Sequence, residues 1–145
     1  MTGHEPIDPD LVASSQSRRD RAGVMAAIAV GGALGAPARY GLSTLVGTRA
    51  GAFPWATFWV NVSGSAALGF LVAWLIAHGR DGGRRRALLG TGFLGAYTTY
   101  STFAVETDQL LQHGRAGVAV AYAGASVVAG LAAAAVGLSV GRRLA

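Results

Sequence analysis

Three sets of polar side chains stand inside long apolar runs of this chain, where they could do chemistry. Thr57, Asn61 and Ser65 follow one another at intervals of four, so all three project from one helix face. Asn61 carries donors and an acceptor. Such an amide either ties helices together or donates into a water-filled path, and both readings are open. Tyr122 and Ser126 make a second stripe, with Gly130 next on that face, although small residues there also suit plain packing. The third set is the stretch Gly95-Ala96-Tyr97-Thr98-Thr99-Tyr100-Ser101-Thr102-Phe103.

That stretch is unusual for a helix in lipid. Gly92 and Gly95 precede a run of threonine and serine, a composition that can break a membrane helix. Broken helices persist there only when buried in protein or lining a cavity, because the freed carbonyls need partners. Freed carbonyls are also ligands for a hard cation such as Na⁺. The ring edges of Tyr100 and Phe103 carry partial positive charge. Ring edges, amide N–H and hydroxyl groups together describe an anion path with no full charge at its narrowest part.

Two charged residues belong to the same runs. Arg39 could be a buried functional cation, could reach the interface from near the end of its run, or could pair with Glu106. Glu106 could couple transport to protons or serve as the partner of Arg39.

These groups need helices to hold them. The chain has 145 residues, 52% of them hydrophobic and 13% charged, with a mean hydropathy of +0.42. Soluble domains carry about a quarter charged residues, so this is the composition of a membrane protein. Four runs, at about 22–46, 55–77, 87–111 and 116–140, are each long enough to cross a hydrocarbon core about 30 Å thick. They predict one all-α membrane domain over 22–145, its third helix broken, preceded by a disordered cytoplasmic tail over 1–21. No cysteine is present, which excludes disulfides and cysteine-based metal or redox sites. All 12 basic residues are arginine. They lie at the ends of the apolar runs, as at a bilayer surface, and no nucleic-acid-binding motif accompanies them.

With four spans, both termini and the middle loop share a side. Arg18, Arg19, Arg21, Arg80, Arg84, Arg85, Arg86, Arg142 and Arg143 fall there, against Arg49, Arg115 and, at its border, Arg39. The positive-inside rule then places both termini in the cytoplasm, with the protein in the cell membrane.

Three motifs together resemble the CrcB/Fluc family of fluoride channels. They are Gly31-Gly32-Ala33-Leu34-Gly35-Ala36-Pro37-Ala38-Arg39-Tyr40, then Thr57-Phe58-Trp59-Val60-Asn61-Val62-Ser63-Gly64-Ser65, then Gly92 through Phe103 with Glu106. The resemblance covers about 22–145. It implies a passive fluoride channel that lowers fluoride toxicity, built as an antiparallel dimer with two pores. It implies a structural Na⁺ at the dimer centre on the backbone carbonyls of Gly95 and Thr98. It implies a fluoride path along Thr57, Asn61, Tyr100, Phe103, Tyr122 and Ser126, with Arg39 and Glu106 as characteristic charges. Tyr100 stands where the family has a phenylalanine, and Gly130 where it has a serine. The strong charge bias departs from a chain that inserts both ways, so the second subunit is expected to be a paralogue of opposite orientation.

Two other classes compete. A small four-span proton-coupled multidrug exporter would need an embedded glutamate, usually in the first span, where this chain has Arg39. A non-transporting assembly subunit would pass no ion alone. An enzyme fits least, with no metal-ligand spacing and no nucleophile beside a partnered base.

Overall fold

A computed structural model of the chain describes residues 9–47, 51–79 and 83–144. All regular structure in these residues is helical. Helix α1 is Pro9–Val46 and α2 is Trp55–Ala77. A third helical segment follows in three pieces: one α turn, α3 (Arg84–Arg86), a π-helical stretch (Ala87–Leu94), and a second α turn, α4 (Gly95–Tyr97). Two extended residues separate it from α5 (Tyr100–Gln112), and α6 (Ala116–Arg143) closes the fold.

Three helices are long and apolar enough to cross a membrane: Asp20–Val46 within α1, then α2, then α6. The chain is thus an all-helical membrane protein. The segment from Arg84 to Gln112 is interrupted, which divides its length between shorter pieces.

Helix α1 begins earlier than the apolar pattern predicts. Residues 9–21 continue the helix, whereas their composition reads as a disordered tail; residues 1–8 lie outside the described residues, as do Arg49 and Arg80. Adding a turn to an existing helix avoids the nucleation cost, so polar residues can extend one that apolar residues have formed. Pro9 suits the first helical position, where its missing N–H goes unused.

Glycine sets how the helices pair. A Cβ on Gly31 would overlap the Leu88 carbonyl oxygen, and one on Gly35 the Phe93 carbonyl oxygen, so α1 lies directly on the π-helical stretch. Gly23 faces Arg84 at the start of the same contact. Both partners therefore ascend together, and α1 is parallel to this segment. Helices α2 and α6 form the second parallel pair: Ser65 is beside Gly130, Ala66 beside Gly137 and Ala73 beside Gly141. Small residues allow such approach where there is no hydrophobic drive between helices.

The start of α1, the end of α2 (Ile76 beside Arg86), the start of α3 and the end of α6 consequently share one end of the bundle. Arg21, Arg84, Arg85, Arg86, Arg142 and Arg143 gather there, and Arg115 lies at the other end. The buried core has two parts. Phe58, Leu110, Ala119 and Tyr122 pack with Phe53 and Phe103 near the Arg115 end, and Leu71, Leu75 and Leu94 pack with Phe93 and Trp74 toward the arginine-rich end. Leu34, Val128, Leu131 and Val136 remain exposed, as on a surface that faces lipid or another subunit.

Candidate ion path

The site is built around the interruption at Thr98 and Thr99. Both residues are extended, with φ/ψ of −75°/160° and −149°/124°. The helix therefore breaks at the threonines themselves, and Gly95 ahead of them is still helical at −64°/−33°. The cause is local. The π-helical stretch carries the wide turns through Gly90 and Gly92 and holds the helix together up to Tyr97. β-Branched Thr98 and Thr99, which favour extended backbone, then leave it. Gly64 of α2 lets the break approach, since a Cβ there would overlap the Thr98 methyl group.

Asn61 holds the break from the side. The Thr99 N–H donates to Asn61 Oδ1 at 2.9 Å, and Asn61 Nδ2 donates to the Thr99 carbonyl at 2.9 Å. One carboxamide thus satisfies both backbone groups of one residue. Thr99 then caps α5: its Oγ1 accepts from the Thr102 N–H at 3.2 Å and donates to Thr102 Oγ1 at 3.0 Å. Of the two roles open for Asn61, the interhelical tie is present in the structure, directed at the break.

The interruption releases carbonyl oxygens. In a continuous helix the Thr99 N–H would go to Gly95 and the Thr102 N–H to Thr98. Here the first goes to Asn61 and the second to Thr99 Oγ1. The Arg39 Nη1 group donates to the Thr98 carbonyl at 3.5 Å. Arg39 is half-buried and takes this backbone partner.

Glu106 is engaged elsewhere, so its expected pairing with Arg39 is replaced. Thr57 Oγ1 donates to its Oε1 at 2.9 Å, and Tyr122 OH donates to its Oε2 at 2.7 Å. Thr57 and Tyr122 are both buried. Their hydroxyl protons are committed to this carboxylate, and the three residues bind α2, α5 and α6 together. Phe103 stands between this triad and the break, its ring centroid 5.1 Å from that of Tyr122 and 5.9 Å from that of Tyr100.

Beside the break lies an open cavity of about 310 Å³, lined by Asn61, Thr98, Thr99, Tyr100, Phe103, Ser126 and Val127. Four of the expected path residues meet here: Asn61, Tyr100, Phe103 and Ser126. Thr57 and Tyr122 do not line it; Tyr122 packs against Phe103, which does. Ser126 Oγ is buried and has no hydrogen-bond partner among the described residues. Thr99 is the member that the polar stripes miss. Its signal was present in sequence, as a threonine three residues ahead of Thr102 at the start of a new helical run.

Residues 26–138 match the family described as CrcB-like protein, Camphor Resistance (CrcB). The chain is 44% identical over 121 residues to the fluoride-specific ion channel FluC of Novosphingobium aromaticivorans, covering 81% of this chain and 95% of that protein. It is 46% identical over 117 residues to FluC of Paracoccus denitrificans, covering 81% and 93%. It is 45% identical over 124 residues to FluC 3 of Streptomyces avermitilis, covering 86% of this chain and 61% of that longer protein.

Proposed function

This chain belongs to the CrcB-like protein family, and we propose that it is a fluoride-specific ion channel of the cell membrane, letting cytoplasmic fluoride out passively. The observation that carries the reading is the Ser126 hydroxyl, buried without a partner among the described residues and lining a cavity with Asn61, Tyr100 and Phe103. A buried unpaired hydroxyl costs stability unless something binds it. Here the cavity supplies donors and ring edges and no fixed charge, which suits a small anion.

Fluoride is small and strongly hydrated, so leaving water demands close donors. Hydroxyl and amide donors to an anion make charge-assisted hydrogen bonds, shorter and stronger than neutral ones. Ser126 Oγ and the remaining Asn61 N–H can supply these, while Tyr100 and Phe103 add weaker edge contacts. No energy coupling is required. Hydrogen fluoride enters as a neutral acid and dissociates inside. A negative-inside potential then drives the anion out, at about 2.3 kcal/mol per charge per 100 mV.

The same reading takes the segment from Arg84 to Gln112 as a fourth, broken span. It sets both termini in the cytoplasm, because the arginine-rich end of the bundle is the end that remains inside. The released carbonyls of Gly95 and Thr98 fit a hard cation, so these are the groups that would hold a structural Na⁺. Hard cations take about six oxygens, and two from one chain require more from a second subunit in an antiparallel dimer. Bound there, Na⁺ would tie the carbonyl oxygens of the two subunits to one point. Since one end carries most of the arginine, the second subunit is a paralogue of opposite orientation.

Fluoride efflux from proteoliposomes tests this, with the chain reconstituted alone and with such a paralogue, and chloride efflux as control. Fluoride release with the paralogue and none of chloride is expected. Full activity of the chain alone would remove the heterodimer. Equal release of both halides would remove the selectivity.

A further inference from the structure

The seam between α2 and α6 changes width along its length. At Gly137 and Gly69 it is closed, because a Cβ would overlap the carbonyl oxygens of Ala66 and Ala134 respectively. At Gly130 it is open: a Cβ there would meet only Ser65 Oγ, at 3.6 Å. Glycine at this position is therefore not needed for helix approach. What it leaves is room beside a hydroxyl.

That room adjoins the cavity. Asn61 and Ser126 both line the cavity, and in parallel helices Ser65 and Gly130 each sit one turn further on. Ser65 is half-buried, and its hydroxyl forms no hydrogen bond among the described residues. Its neighbour Ser63 turns back onto the Trp59 carbonyl at 2.7 Å, and Ser139 onto the Ala135 carbonyl at 2.8 Å, as serines in helices commonly do. Ser65 and Ser126 leave their hydroxyls unused, at successive levels of one seam.

We infer that Ser65 is a donor of the ion path, binding partly dehydrated fluoride in the space beside Gly130 at the level beyond Ser126. Helix α2 thus provides the hydroxyl that α6 lacks there. The inference rests on the fluoride-channel reading. It makes Ser65, rather than any α6 side chain, the group that keeps the ion bonded where the seam narrows toward Gly137.

The test is fluoride efflux from proteoliposomes of wild type, Ser65→Ala, and Ser65→Ala with Gly130→Ser, all reconstituted with the same partner subunit. Ser65→Ala is expected to slow efflux about tenfold, the loss of one charge-assisted hydrogen bond, with an unchanged melting temperature. Adding Gly130→Ser returns a hydroxyl to the same space from the other helix and restores the rate. Efflux from Ser65→Ala equal to wild type overturns the inference. So does slow efflux that Gly130→Ser fails to restore, or a melting temperature that falls with it, since either marks a packing role. If wild type itself passes no fluoride, the channel reading falls first, and this result separates the two failures.

Discussion

Ser126 and Asn61 both face the cavity, yet their substitutions should behave differently. Ser126 Oγ has no partner among the described residues, so Ser126→Ala breaks no hydrogen bond among them. Fluoride efflux should drop about tenfold while the thermal midpoint stays within experimental error. Asn61→Ala leaves the Thr99 N–H and carbonyl unpaired, at a cost of about 1–3 kcal/mol for each buried group. Its efflux and its thermal midpoint should therefore fall together. Asn61→Asp keeps the acceptor for the Thr99 N–H but loses the donor and adds a negative charge to the path, so its stability should recover more than its flux. Efflux that survives Asn61→Ala would make Asn61 a tie between helices only.

At the scale of elements, the parallel pairs α1 with the π-helical stretch, and α2 with α6, depend on close backbone approach. Gly137→Ala should force α2 and α6 apart and destabilise the fold by about 1–3 kcal/mol, as overpacking does, which a melting curve in detergent would register. An unchanged melting temperature would contradict this packing. The outer bounds of α2 were legible from the apolar run alone, because Pro54 precedes it and no breaker interrupts it. The approximate place of the break was also legible, since threonine and serine cluster where lipid would favour apolar residues. Its position was not. Gly92 and Gly95 ahead of that run both remain helical, and the exit was decided by Asn61 reaching Thr99 across 38 residues of chain. The Arg39–Glu106 pair, one of the pairings open in sequence, does not form for a similar reason. Opposite charges in sequence invite pairing, but Thr57 and Tyr122 hold Glu106 and the released Thr98 carbonyl draws Arg39. Long-range partners of this kind leave no trace in the local pattern.

For the whole molecule, the proposed second subunit rests on the asymmetry of charge and on the released carbonyls. Replacing Na⁺ by a bulky organic cation should lower the thermal stability of the assembled dimer and leave a dissociated subunit little affected, if the Gly95 and Thr98 carbonyls of two chains share the ion. Equal melting in both salts would remove the ion from the account. The central claim is that the path passes fluoride passively and rejects other anions. Current across a planar bilayer, with unequal fluoride, equal chloride and equal pH on the two sides, tests it most directly. The current should reverse at the fluoride equilibrium potential, moving about 59 mV for each tenfold fluoride gradient. Reversal at zero under that gradient, or reversal that follows an imposed pH or chloride gradient, would contradict it.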